Sequence, residues 1–159
     1  MKVKNIHKRI LKASKQQVEK SMLSLSKVRD EIWPLEKWPA MKFKEGIKIG
    51  AKGGHGPIRY TVEKYDPTQI IEFRFSRPRG FDGIHKFEIS ELSQQEIEIT
   101  HTIAMETSGK ATLTWIFVIR PLHNALMEDA FNKLENGLSN TNKKTKWNIW
   151  VKMLRGLLP

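Results

Sequence analysis

The feature that most constrains the fold is a series of four segments between residues 58 and 106 in which apolar and polar residues alternate. They cover 58–65, 70–77, 81–91 and 96–106. Alternation with a period of two predicts strands with one buried face. Short turn sequences such as Asp66-Pro67 separate the segments, and consecutive strands joined in this way form an antiparallel sheet. Because one face of that sheet is apolar, another element must cover it.

A long C-terminal helix is the predicted cover. Apolar residues recur at helical spacing at Leu122, Leu126, Ala130 and Leu134. The preceding stretch TLTWIFVI (112–119) would suit a strand by β-propensity alone. The helical pattern continues directly after it, however, and Pro121 would only kink a helix that begins near residue 110. The sequence therefore predicts a helix over 110–138. We expect its charged residues His123, Glu128 and Asp129 on the solvated face.

The N-terminal part predicts a strand over 3–12 and then a helix over about 14–28 that Ser14 caps. Pro34 and Pro39 interrupt the chain downstream of this helix. The segment between the helix and the sheet therefore predicts a second short helical turn and a loop that carries Trp33 and Trp38. A weak strand, or a pair of short strands, is expected over 43–51.

The glycine-rich stretch GAKGGHGPIRY (50–60) predicts a strand corner rather than a phosphate-binding loop. Its glycines fit neither GxxxxGKS nor GxGxxG. After Pro57 the alternating pattern begins, so no helix N-terminus is available to hold an anion. Glycine tolerates the positive φ angles that a sheet corner requires.

Four motifs resemble those of a known superfamily. They are KWP (37–39), GGHGPIRYTVEKYDP (53–67), IEFRFSRPRGFDGIHKFEI (71–89) and IRPLHNALMEDAF (119–131). With the order of elements, they resemble the START/Bet v 1-related, polyketide cyclase-like proteins of the SRPBCC superfamily, in an uncharacterised bacterial branch. The resemblance covers about residues 3–138. It implies an α+β helix-grip fold, in which a curved antiparallel sheet of six to seven strands wraps around the C-terminal helix and two short helices follow strand 1. It also implies an apolar cavity between sheet and helix, in which members bind lipids, polyketides or other apolar molecules and only a minority catalyse.

Two histidines lie in the apolar phase of neighbouring strands, His85 and His101. If the turn near Ser93-Gln94 pairs residues whose numbers sum to 186, the two face each other directly; sums of 184 or 188 would make the contact diagonal. Buried imidazoles can contact a ligand or move a proton. The predicted cavity-lining, ligand-binding residues are Tyr60, Phe73, Phe75, His85, Phe87, His101 and Trp115. Core packing explains each aromatic residue equally well.

Composition narrows the function classes. The chain has no cysteine, so it offers no disulfide, no thiol nucleophile and no Cys-based metal site. It also lacks HExxH, GxSxG and P-loop motifs. No metal site and no cofactor are therefore expected. The N-terminus carries no apolar signal region and no stretch has transmembrane length, which predicts a cytoplasmic protein.

The net charge of +11 is uneven: residues 1–52 carry +9, residues 53–109 carry −3 and residues 110–159 carry +5. The segment 139–159, predicted as a tail outside domain 1–138, is basic and amphipathic. Its apolar residues at helical spacing are Trp147, Trp150, Val151, Leu154 and Leu158. Such a helix either docks on the domain, pairs with another copy, or makes weak contact with a membrane surface through 143–158.

The sequence thus predicts a protein, monomeric or homodimeric, that binds a hydrophobic or amphipathic small molecule and no specific nucleic acid. The alternative is a cyclase- or dehydratase-like enzyme in which His85 or His101 is the acid or base. A third hypothesis is a membrane-associated module that acts through the basic tail.

Overall fold

The computed structural model describes residues 1–157, and Leu158 of the predicted tail lies outside them. It contains seven strands: β1 (Lys2–Lys12), β2 (Lys42–Phe43), β3 (Lys52–His55), β4 (Ile58–Asp66), β5 (Ile70–Arg77), β6 (Phe81–Ser93) and β7 (Glu96–Thr107). The helices are α1 (Lys15–Ser24), α2 (Lys110–Thr114), a π-helical turn (Trp115–Ile119), α3 (Arg120–Ser139) and α4 (Ile149–Leu157).

The seven strands form one antiparallel sheet in the order β1-β7-β6-β5-β4-β3-β2. The predicted apolar phases of β4 to β7 all point toward the covering helix, with Val62, Ile71, Phe87 and Ile99 among the fully buried residues. The curved sheet and the long C-terminal helix that it grips confirm the predicted helix-grip fold.

The N-terminal helix is well defined, but the second predicted helix is a series of turns. In α1 the Ser14 and Gln17 side chains and backbone amides form a capping box. Downstream, the carboxylate of Asp30 accepts hydrogen bonds from the backbone amides of Ser26, Ile32 and Trp33. These bonds hold the backbone in a compact turn, so the side chain replaces the regular helical pattern there.

The middle of the inward face of β1 is polar, with Asn5, His7 and Arg9 between Val3 and Leu11, so the alternation of apolar residues does not reveal the inward side. Asn5 donates to the Asn124 Oδ1 atom at 3.1 Å. Arg9 donates to Glu135 at 2.7 Å and to Glu128 at 2.9 Å on α3. This polar seam joins the edge strand to the helix. The pairing compensates these partly buried polar groups for the water that they lose.

Pro121 is accommodated by the π-helical turn that precedes it. A proline has no N–H for the carbonyl four residues earlier, which here belongs to Phe117. That carbonyl instead accepts a hydrogen bond from the Trp150 indole of α4 at 2.8 Å. The predicted helix therefore continues to Ser139 with one altered turn, and the tail contacts the helix at that turn.

The described part of the tail packs on the domain through the inward side of α4, where Val151 and Leu154 are buried. The division of the chain at residue 138 stays a prediction. Within residues 1–157, no helix is both long enough and apolar enough to cross a membrane.

Candidate functional site

A cavity of about 510 Å³ lies between the sheet and α3. The sheet contributes Phe75, His85, His101 and Ile103 to its wall, and the C-terminal helix contributes Val118, Ile119, Leu122, His123, Leu126 and Met127. The tryptophan loop (Trp33, Trp38 and Pro39), the β3–β4 hairpin (His55 to Ile58) and Arg155 complete the wall. The volume falls within the usual range for small-molecule sites, and most of the lining is apolar.

The glycine-rich stretch builds the hairpin side of this cavity. A Cβ atom on Gly54 would lie 2.1 Å from the Ile58 carbonyl oxygen, and Gly56 turns the chain with a φ of +48°. Only glycine allows the two short strands to approach so closely. The strand-corner interpretation is confirmed, and the corner places His55 in the cavity wall.

All five histidines of the chain gather in this region. Four line the cavity: His55, His85, His101 and His123. The fifth, His7, lies with its ring 5.5 Å from that of His123. The His101 ring lies 4.9 Å from the His123 ring and 5.6 Å from the His85 ring. Residues far apart in sequence thus form one histidine cluster, which we define as His85, His101 and His123.

The register of β6 and β7 determines the contact between His85 and His101. His85 lies opposite Ile103, and His101 lies opposite Phe87. The paired numbers therefore sum to 188 rather than 186; at the turn Ser93 pairs with Glu96, and an irregularity between Glu91 and Ser93 shifts that sum of 189 to 188. The two imidazoles are diagonal neighbours on the inner face, as a sum of 188 requires.

The histidine cluster is buried and unsatisfied. His85 Nε2, His101 Nδ1 and both ring nitrogens of His123 have no hydrogen-bond partner among the residues that the structure describes. Desolvation lowers the pKa of each of the three well below 6.5, and neighbouring imidazoles lower it further. At neutral pH the cluster therefore consists of uncharged rings, each with one donor and one acceptor nitrogen.

His55 has a different environment at the hairpin. Its Nδ1 atom lies 3.1 Å from the Tyr60 hydroxyl, which is itself fully buried. Desolvation, followed by the charge of Arg59, lowers the pKa of His55 to about 4. This ring is also neutral at physiological pH.

The seven residues predicted to line the cavity divide into three groups. Phe75, His85 and His101 are in its wall. Tyr60, Phe73 and Phe87 are fully buried and support it from behind: Phe73 stacks on His85 at 4.7 Å, and Phe87 packs edge-on against His101 at 4.6 Å. Trp115 belongs to a separate cluster with Phe81 and Met105. The binding role of all seven stays a prediction, as does catalysis by His85 or His101.

The expectation that His123 and Asp129 lie on a wet helix face is wrong, since both are buried. Asp129 accepts hydrogen bonds from distant donors, and the His123 ring packs beside the rings of His7 and His101; the local pattern does not report either set of contacts. Both residues lie within one turn of α3 from the apolar residues Leu126 and Met127. This spacing was the signal in the sequence that could have indicated their burial.

Asp129 fixes the rim of the cavity. Its carboxylate accepts hydrogen bonds from Lys37 at 2.8 Å and from the indoles of Trp38 and Trp147 at 2.9 Å each. Burial alone would raise the pKa of this carboxyl, but the hydrogen bonds outweigh it and lower the pKa below 3.8. Arg155 then lies over the Trp38 ring at 5.0 Å. The tail and the tryptophan loop are thereby held together beside the cavity.

The geometry offers no metal centre within residues 1–157, where no three histidine or carboxylate side chains are placed to hold an ion. The arrangement instead provides neutral hydrogen-bonding groups at the wall of an apolar space. Such groups can orient a small molecule or exchange a proton with it.

Comparison with solved structures supports the fold. The chain is similar to a protein from Thermobifida fusca (TM-score 0.67, 12% identity, covering 91% of this chain and 99% of that one). It is also similar to Ara h 8.0201 (TM-score 0.63, 10% identity, 89% and 100%). A third neighbour is a norcoclaurine synthase mutant from Thalictrum flavum in complex with a transition-state analogue (TM-score 0.60, 13% identity, 86% and 97%). These likenesses show the helix-grip fold. No protein-family model and no curated protein matches the sequence.

Proposed function

We propose that this helix-grip chain binds an apolar small molecule that carries a neutral hydrogen-bonding group, such as a hydroxyl or a carbonyl. The observation that supports this most is the histidine cluster. Three buried imidazoles present unpartnered nitrogens in the wall of a cavity that is otherwise largely apolar. A buried polar atom without a partner costs roughly 1–3 kcal/mol. A ligand group that pairs with these nitrogens would recover much of that cost.

The charge state of the cluster selects the kind of group. Because the pKa of each imidazole is depressed by desolvation, the rings are uncharged at neutral pH. They offer no cation to an anionic group, and an ion would lose its hydration in an apolar space. A hydroxyl or carbonyl matches neutral donor and acceptor nitrogens without that penalty.

The shape of the cavity selects the rest of the ligand. Leu122, Leu126 and Ile103 give it apolar walls, and the indoles of Trp33 and Trp38 add flat aromatic surface. A fused-ring or polyketide-like body would bury apolar area against them. A solved neighbour of this fold, the norcoclaurine synthase mutant, holds a transition-state analogue, which supports small-molecule binding as a use of the fold.

A matched pair of probes tests the proposal. We expect 2-naphthol to bind about tenfold more tightly than naphthalene, as one added hydrogen bond of about 1.4 kcal/mol implies. Fluorescence titration measures both constants. Leu122→Trp, which fills the cavity, should abolish binding of both probes. Leu92→Trp, at an exposed position in β6, is the control and should leave both constants unchanged.

Replacement of the cluster separates its role from that of the apolar walls. His101→Phe and His123→Phe should remove the preference for 2-naphthol while naphthalene still binds. If neither probe binds the unaltered protein, or if Leu122→Trp has no more effect than Leu92→Trp, the cavity is not a binding site. If the preference survives both histidine substitutions, the cluster is not its source.

A further inference from the structure

A second apolar surface lies outside the cavity. The start of the C-terminal helix exposes Leu113, Ile116 and Phe117, with 57% of Phe117 accessible. The outer side of α4 exposes Ile149, Trp150, Met153 and Leu157, with 71% of Leu157 accessible. Large side chains of this kind scattered singly are ordinary, but a contiguous group marks an interaction surface.

The two helices form one surface. The Trp150 indole donates to the Phe117 carbonyl at 2.8 Å, which joins the exposed side of α4 to the exposed turn before Pro121. Val151 and Leu154 already pack α4 on the domain. The outward apolar residues are therefore not needed to dock this helix, since it is apolar on both sides and only one side is buried. We call residues 113, 116, 117, 149, 150, 153 and 157 the outer patch.

The charge around the outer patch has a single sign. Residues 107–127 and 136–157 contain no aspartate and no glutamate. The exposed bases in these segments are Lys110, Arg120, Lys143, Lys144, Lys146 and Lys152. The middle of the chain, by contrast, is acidic, with −3 over residues 53–109. The segments that carry the exposed apolar side chains of the outer patch therefore carry basic charges and no acidic ones.

We propose that the outer patch docks this protein on an anionic lipid bilayer. An exposed tryptophan, apolar side chains that can enter the acyl boundary and a rim of lysines are the features by which helices bind such an interface. Neither nucleic acid nor an acidic protein surface would use the full apolar area. The proposal is independent of the cavity ligand. The docked side adjoins the cavity, because Val118 and Ile119 of its wall follow Phe117 directly.

Vesicle flotation tests the proposal with lipids of defined composition. We expect the full chain to float with vesicles of 70% phosphatidylcholine and 30% phosphatidylglycerol, and to bind pure phosphatidylcholine at least tenfold more weakly. Phe117→Ser with Met153→Ser should weaken binding to the anionic vesicles by tenfold or more. Leu23→Ser with Leu92→Ser replaces two apolar residues that are also about half exposed, at 45% and 52%, and should leave binding unchanged.

A second pair of variants tests the charge. Lys144→Gln with Lys146→Gln should weaken binding by about fivefold per lysine, whereas Lys2→Gln with Lys4→Gln on β1 should have little effect. Equal binding to both vesicle types, or equal loss in patch and control variants, would overturn the proposal. So would a dimer in analytical ultracentrifugation that Phe117→Ser with Met153→Ser converts to a monomer, because a second copy would then cover the patch. Probe binding in vesicle-free solution is unaffected by any of these outcomes.

Discussion

The buried histidines should make the stability of this protein fall steeply in mild acid. The pKa values of His85, His101 and His123 are depressed well below 6.5 in the folded state by desolvation, and that of His55 is depressed to about 4. In the unfolded chain each would titrate near 6.5. Between these values the unfolded state binds more protons than the native state. The stabilisation is therefore fully present above pH 6.5 and is lost as the pH falls below it.

The magnitude follows from the unfolded value alone, as long as the folded rings stay neutral. Between pH 7.5 and pH 6.0, protonation of one such histidine in the unfolded state lowers the free energy of unfolding by about 0.8 kcal/mol. Four histidines lower it by about 3 kcal/mol. Total stabilities of domains are about 5–15 kcal/mol, so this change is a substantial share. Carboxylates titrate at lower pH and contribute little in this window.

Urea unfolding at the two pH values measures the effect, with the m-value as a check on two-state behaviour. His101→Phe should reduce the pH dependence by about 0.8 kcal/mol, because one titrating group is gone from the unfolded chain. Phe87→Leu, which alters the ring packed against His101, should lower stability equally at both pH values. A dependence below about 1 kcal/mol in the unaltered protein would refute the reasoning. So would a His101→Phe variant that keeps the full dependence.

Three further substitutions test the packing of the domain. Asp129→Ala removes the shared acceptor of the tryptophan loop and the tail, so it should cost about 3 kcal/mol and open the tail to trypsin; unchanged cleavage after Lys146 would contradict this. Gly83→Ala should cost about 2–3 kcal/mol, because its φ is +154° and the new Cβ would lie 2.3 Å from the Ala104 carbonyl oxygen. Gly137→Ala, in the helix with open space around it, should instead stabilise by about 1 kcal/mol. Thermal denaturation of the matched glycine variants checks both signs.

The sheet and the covering helix could be predicted because their signals are local. In β6 from Phe81 to Ile89 and in β7 from Ile97 to Met105 the alternate residues are apolar, histidine or, at Gly83, glycine, and all of them except Gly83 are buried. The helix was recognisable despite Pro121, because its apolar spacing continues on the far side. Register was less accessible. The turn at Ser93 and the irregularity beside it set a sum of 188, and nothing in the alternation distinguishes a sum of 186 from one of 188.

The strand β1 was predicted, but its inward face and the contacts of the rim were not, since their polar residues have partners far away in sequence. Arg9 on β1 is satisfied by carboxylates more than a hundred residues later. Asp129 is buried because two indoles and a lysine converge on it. Hydrophobic periodicity assigns charged residues to solvent, and that assignment fails wherever a distant donor or acceptor compensates for burial.

The histidine cluster is difficult to explain by packing alone. His85 lies between Phe73 and Phe75, with stacked rings at 4.7 and 4.9 Å, and a phenyl ring would suit that position without any polar cost. His123 has two buried nitrogens without a partner among the described residues. Its helical neighbours Leu122 and Leu126 line the same cavity without any polar side-chain atom. Local physical rules are broken mainly where a function compensates for them. These unsatisfied neutral imidazoles around an apolar space are the reason for our proposal that a polar atom of a bound molecule pairs with them.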